Sequence, residues 1–152
     1  MNPVLKKLQY KGQSPICIIN MPESFADIIA DIDADISTDF AGGVLFSWVV
    51  VFVSTKEQVG LASDMLESNK ANDPTIWFAY PKGTSKKYKS DINRDKGWSS
   101  LGDLGYEPVS QVAIDDDWSA LRFRKVSNIK VMNRSKLGAI SEEGKVRTQN
   151  NK

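Results

Sequence analysis

The sequence predicts an α/β protein with a Rossmann-like three-layer fold, in which a C-terminal antiparallel hairpin closes a mostly parallel sheet. Three observations carry that expectation. Continuous apolar runs recur at 16–19, 44–53 and 75–80, and such runs suit strands buried on both faces. Segments with helical spacing of apolar residues lie between the first of them. Two strand-like runs, 108–114 and 118–126, flank Asp115-Asp116-Asp117 and read as a hairpin. Strands alternating with helices imply βαβ units.

In chain order, Val4, Leu5 and Leu8 are spaced for a short helical turn. The strand 16–19 follows Pro15. Asn20-Met21-Pro22-Glu23 resembles a capping box, opening a helix whose Phe25, Ile28, Ile29 and Ile32 share one face. Residues 31–39 alternate and are rich in Asp, which suggests a short edge strand. Gly42-Gly43 punctuates the chain before the central strand 44–53, rich in Val, Phe and Trp. Ser54-Thr55-Lys56-Glu57 reads as a second capping box, for a helix that turns Val59, Ala62 and Leu66 inward. Asn72-Asp73-Pro74 ends that unit, and Pro81 halts the strand 75–80. After the polar loop 82–90, a helix is expected over 91–104 with Gly105 as its stop.

A chain of 152 residues with net charge +1 fits one domain, expected over 1–126. Residues 127–152 read as a flexible basic tail, with Lys130, Arg134, Lys136, Lys145, Arg147 and Lys152 against Glu142 and Glu143. The tail has no aromatic side chain to stack on bases, so nucleic acid is not an expected partner. The N-terminal residues lack a signal-peptide pattern. The longest apolar run is too short for a membrane helix of about 20 residues. A cytoplasmic location without membrane contact is the default expectation.

The composition excludes several chemistries. There is no histidine, which removes Ser-His and Cys-His nucleophilic pairs and imidazole bases. Cys17 is the single cysteine and lies in an apolar run, so it reads as a small core residue. No metal site is expected: consecutive Asp115, Asp116 and Asp117 cannot all converge on one ion. Dinucleotide and adenosyl cofactors need glycines after the first strand, and Asn20-Met21-Pro22-Glu23 has none, so no cofactor is expected.

In open α/β sheets ligands bind outside the carboxyl ends of the strands. Those ends fall at 20–24, at 54–57 and from Pro81 onward. The first two read as helix caps. The third carries Lys82, Lys86, Lys87, Lys89, Arg94 and Lys96 against Asp91 and Asp95, a net +4. Gly83, Thr84 and Ser85 open the loop with small, donor-rich residues. Such a loop suits a phosphate or a carboxylate, although it lacks the P-loop pattern. The alternative is a solvated loop whose cations pair with neighbouring carboxylates.

The stretch from Trp77 to Phe123 adds a resemblance. Tyr80-Pro81-Lys82, Ser85, Asp91-Ile92, Arg94-Asp95, Trp98, Val112-Ala113-Ile114-Asp115 and Trp118-Ser119-Ala120-Leu121-Arg122-Phe123 resemble a small bacterial family known only as a domain of unknown function. The resemblance extends over most of residues 5–126. It implies a compact Rossmann-like domain similar to class I methyltransferases without their cofactor loop, and it implies no activity. It singles out Lys82, Ser85, Asp91, Arg94, Asp115, Trp118 and Arg122. An Asp–Arg pair and a buried tryptophan holding the hairpin against the loop is the structural role it implies for them.

The functional expectation is a non-catalytic domain that binds an anionic small molecule or an acidic protein through loop 82–94. Lys82, Ser85, Lys86, Asp91 and Arg94 are its contacts, supported by Tyr80, Asp115, Trp118 and Arg122. One alternative is an interaction or regulatory module that uses the loop and the tail. Another is a transferase-type enzyme with Lys82 as charge stabiliser and Asp91 or Asp115 as base.

Overall fold

A computed structural model describes residues 2–40 and 44–129. In chain order the elements are α1 (Pro3–Lys7), β1 (Ile16–Ile19), α2 (Glu23–Ile28), β2 (Ile36–Ser37), β3 (Phe46–Phe52), α3 (Lys56–Glu67), β4 (Lys70–Pro81), α4 (Ser99–Asp103), β5 (Tyr106–Ala113) and β6 (Trp118–Lys125). A 3-10 turn, Val126–Asn128, follows, and Ile129 beyond it is buried. The expected tail lies outside the described residues from 130 onward, as does the Gly42-Gly43 pair.

The strands form one six-stranded sheet in the order β2-β1-β3-β4-β6-β5. β1 pairs in parallel with β2 and β3, and β3 with β4. β6 runs antiparallel to both its neighbours, β4 and β5. Five strands therefore share one direction and β6 alone opposes them. The expected mostly parallel sheet with a closing hairpin is present. The antiparallel strand is interior, however, and the edge is β5. That order suits Pro108, which cannot donate to a ladder and which an edge strand tolerates beside a register shift.

The two sheet faces bury separate cores. Val49, Val51, Ile76, Phe78, Leu121 and Phe123 face α3 and α4. Ile18, Trp48, Val50, Trp77, Ala79 and Ala120 face the layer of α1 and α2. Helices on both faces of a mostly parallel sheet make the three layers. The main-chain carbonyl of Leu8 accepts the indole N–H groups of both Trp48 and Trp77, each at 2.8 Å, which fastens the α1 segment across β3 and β4.

Several local expectations are corrected. Asn20 is not a helix cap. Its φ is +57°, α2 begins after Pro22, and the Asn20 side chain donates to the Phe52 carbonyl at 3.2 Å. The second capping box is offset by one residue, because Thr55 caps α3 and exchanges hydrogen bonds with Gln58. Asn72-Asp73-Pro74 does not precede β4 but lies within it. There a left-handed Asp73 (φ +48°) accompanies a break in the β3–β4 register.

The largest correction concerns residues 91–104. Only Ser99–Asp103 is helical. Asn93 Oδ1 accepts the Asp95 N–H at 2.9 Å, a side-chain turn that competes with helix formation. Gly97 follows at φ +107°, where an added Cβ would lie 2.2 Å from Ile92 Cγ2. Gly105, at φ +87°, ends the helix as expected.

Candidate functional site

Chain order across the sheet reverses at β1, which has β2 on one side and β3 on the other. This switch point is where open α/β sheets usually hold ligands, and here the chain's own side chains fill it. Asn20 bridges the ends of β1 and β3 through Phe52. Gln58 Oε1 accepts the N–H groups of Ser54 at 2.7 Å and Thr55 at 3.3 Å. The start of α3 is completed by Asp91, whose Oδ1 accepts the Lys56 N–H at 3.1 Å. A glycine-cradled adenosyl or dinucleotide cofactor does not fit this turn. No glycine lets a ligand approach the backbone between Ile19 and Glu23, and α2 is a six-residue helix.

Beside the switch point, a cleft of about 270 Å³ opens between the exits of β1 and β2 and the side of α3. Leu61 and Met65 form its exposed apolar wall. Of its polar lining, the side chains of Asn20 and Gln58 are committed to the bonds above, and the Asp39 carbonyl accepts the Cys17 Sγ–H at 3.4 Å. Burial, reinforced by the charge of Asp39, pushes the Cys17 thiol up to about 12. The thiol is therefore inert at neutral pH.

The carboxyl end of β4 is built differently. The loop that follows passes over the carboxyl end of β4 from one core to the other. Tyr88 packs on the α1–α2 side, and Ile92 and Trp98 pack on the α3–α4 side. Its polar side chains are its anchors. The Lys82 N–H donates to the Asp117 carbonyl at 2.8 Å. Ser85 Oγ donates to Asp117 Oδ1 at 2.8 Å and accepts the Tyr88 N–H at 3.1 Å. Ser90 Oγ and the Asp91 N–H both donate to the Ser54 carbonyl, at 3.0 and 3.1 Å. Lys86, Lys87 and Lys89 are exposed. Among the described residues, no ion pair joins Lys82, Lys86, Lys87 or Lys89 to a carboxylate.

The structure thus sorts the expected site residues into separate groups. Lys82, Ser85, Asp115 and Trp118 meet at the hairpin turn, where Asp115 Oδ1 accepts the N–H groups of Asp117 and Trp118, each at 2.8 Å. Asp91 belongs to the start of α3, and Lys86 is displayed outward. Among the described residues, Arg94 forms an ion pair only with its neighbour Asp95, at 3.3 Å on the surface. Tyr80 is buried on the α3–α4 side, where its hydroxyl accepts from Gln111 at 2.7 Å and burial raises its pKa. Arg122 sits four residues along β6 from Trp118, about 13 Å at strand spacing. Burial lowers the Arg122 pKa, with the charge of Arg124 adding to that effect and Asp73 opposing it. The expected Asp–Arg clasp between loop and hairpin is replaced by Ser85–Asp117.

Sequence reasoning missed Asp117 and Tyr88. The signal for Tyr88 was its place as an aromatic among Lys86, Lys87 and Lys89. Asp117 carried no signal beyond its place in a turn. Among the described residues there is no group of three or more His, Cys, Asp or Glu placed to hold a metal. No helix among them is long and apolar enough to cross a membrane.

No family model matches the chain, and no curated protein matches it. Among solved structures, it is similar to the N-methyltransferase NodS from Bradyrhizobium japonicum. The TM-score is 0.51 at 17% identity, over 80% of this chain and 92% of that one. At that identity the likeness concerns the fold alone, a Rossmann-like α/β arrangement.

Proposed function

We propose that this chain is a non-catalytic α/β domain that binds an anionic small molecule or an acidic protein partner through loop 82–94. The observation that carries the proposal is the division of labour in the loop. Ser85, Ser90 and Asp91 are spent on anchoring, while Lys82, Lys86, Lys87 and Lys89 are left without carboxylate partners among the described residues. A pinned loop displaying like charges is a ready anion contact, because its ordering entropy is already lost before binding. Ser85 and Asp91 are positioning residues in this reading, and Lys82, Lys86 and Arg94 are the contacts.

Calorimetric titration with inorganic phosphate and with a poly-glutamate peptide tests it. Saturable binding that weakens with salt and falls at least tenfold in a Lys82→Ala/Lys86→Ala/Arg94→Ala variant is expected. Equal binding by the variant and the parent chain overturns it.

A transferase-type reading is favoured by the methyltransferase-like fold and the cleft beside β1. It would draw on Lys82 for charge stabilisation and leave Asp115 and Asp91 tied to backbone N–H groups. Micromolar binding of S-adenosylmethionine, lost on filling the cleft with Ala62→Trp, would move the assignment to that reading.

A further inference from the structure

Three of the four tryptophans donate their indole N–H to a main-chain carbonyl. Trp48 and Trp77 reach Leu8, and Trp98 reaches Asn93 at 2.7 Å. Trp118 is the exception. Its side chain is 5% exposed, and its Nε1 is buried with no acceptor among the described residues. A buried donor left unmade costs about 1–3 kcal/mol. Buried tryptophan N–H groups usually find a partner.

Trp118 sits at the carboxyl end of β4, opposite Pro81 in the ladder. Its ring packs edge-on against Phe52 at 5.1 Å and is covered by Tyr88 at 4.9 Å. Phe52 is the last residue of β3 and belongs to the rigid sheet. Tyr88 belongs to the loop, which is held to the hairpin by the Lys82 N–H on the Asp117 carbonyl and by the Ser85–Asp117 clasp. A cation borders this cover: Lys87 Nζ stands 5.4 Å from the Tyr88 ring centroid. An unmade donor, two aromatic walls and a lysine therefore meet where this fold class holds ligands.

We propose that the loop around Tyr88 is a lid over a small site for an aromatic anion, a planar ring carrying a carboxylate or a phosphate. Trp118 Nε1 donates to the anionic oxygen, Phe52 and Tyr88 flank the ring, and Lys87 supplies the charge. The inference rests on the anion-binding reading of the loop and narrows it. Charge alone would accept any anion, whereas the buried N–H and the rings select one with an aromatic body. A charge-assisted hydrogen bond to a buried donor is stronger than a neutral one, so the N–H contributes to discrimination as well as to affinity.

The test uses the full chain labelled with ¹⁵N. The indole N–H resonances are followed, and Trp118 is assigned by the signal that Trp118→Phe removes. Phenyl phosphate and benzoate are titrated, with inorganic phosphate and phenol as controls. The Trp118 signal is expected to move downfield saturably with the two aromatic anions and to stay in place with phenol. Trp118→Phe, which keeps a ring but loses the donor, is expected to weaken phenyl phosphate binding about 10-fold to 100-fold. Tyr88→Leu, which removes one wall at a loop position, gives a second readout should Trp118→Phe fold poorly. It should selectively weaken phenyl phosphate by several-fold. If both variants bind phenyl phosphate as tightly as the parent chain, while Lys82→Ala/Lys87→Ala abolishes binding, the lid site is overturned and the loop reading stands. If none of the anions binds the parent chain, both are overturned.

Discussion

The two ends of the crevice along the top of the sheet differ in how their polar groups are used. At the switch point between β1 and β3, Asn20, Thr55, Gln58 and Asp91 bond to backbone groups of the neighbouring elements. At the end of β4, the irregular chain 82–98 is anchored through Ser85, Ser90 and Asp91. Among the described residues, Lys82, Lys86, Lys87 and Lys89 have no carboxylate partner there and the neighbouring Trp118 indole N–H has no acceptor. In a fold of this type the first place is the usual one for a ligand. In this chain the bonding capacity left for one lies at the second.

Phe52 stands between the two regions, packing on Phe25 of α2 at 5.0 Å and on Trp118 at 5.1 Å. Phe52→Ala should therefore loosen both, with a loss of about 3–5 kcal/mol in urea unfolding. Preserved amide protection in either region would break the picture of a shared wall.

Gly97→Ala acts on the loop side alone. The residue combines φ +107° with the Ile92 clash, so a loss of about 2–4 kcal/mol is expected. Hydrogen exchange should rise first in 82–98 and leave β1 and β3 protected.

Asn20→Ala is the matching change at the switch point. It removes the bond to Phe52 and leaves a left-handed residue without the side chain that favours it. The expected loss is about 1–2 kcal/mol, with no change in binding of phosphate at the loop. A loss of phosphate binding in this variant would show that the two regions are one site.

The smallest effect lies at the opposite end of β4. The Asp73 pKa is lowered mainly by its hydrogen bond from Arg124. A depressed native pKa contributes stability above the unfolded value near 3.9, and that stability is lost as pH falls through the native value. The pair is partly exposed, so less than about 1 kcal/mol is expected. Arg124→Met should flatten the acid limb of a stability–pH curve below about pH 4. It should leave both upper regions untouched.

Much of this architecture is written in local pattern. The apolar runs specify β1, β3 and β4 because a strand buried on both faces has no polar positions to alternate. The hairpin around Asp115 follows from turn chemistry, since Asp115 binds the two N–H groups ahead of it. Val59, Ala62 and Leu66 face the core as their spacing requires. The net positive charge of the loop is likewise a property of the sequence alone. Other features depend on contacts between distant residues. Nothing local tells Asn20 to bond Phe52 instead of capping α2, because the acceptor lies 32 residues away. The insertion of β6 between β4 and β5 is a choice among sheet pairings that hydrophobic pattern leaves equal. The helix expected over 91–104 lost its first half to an Asn93 turn and to a glycine packed against Ile92. The lysines of the loop were thus legible from the start. Tertiary packing decided which of the loop's other side chains are spent as anchors, and that the Trp118 ring packs against Tyr88.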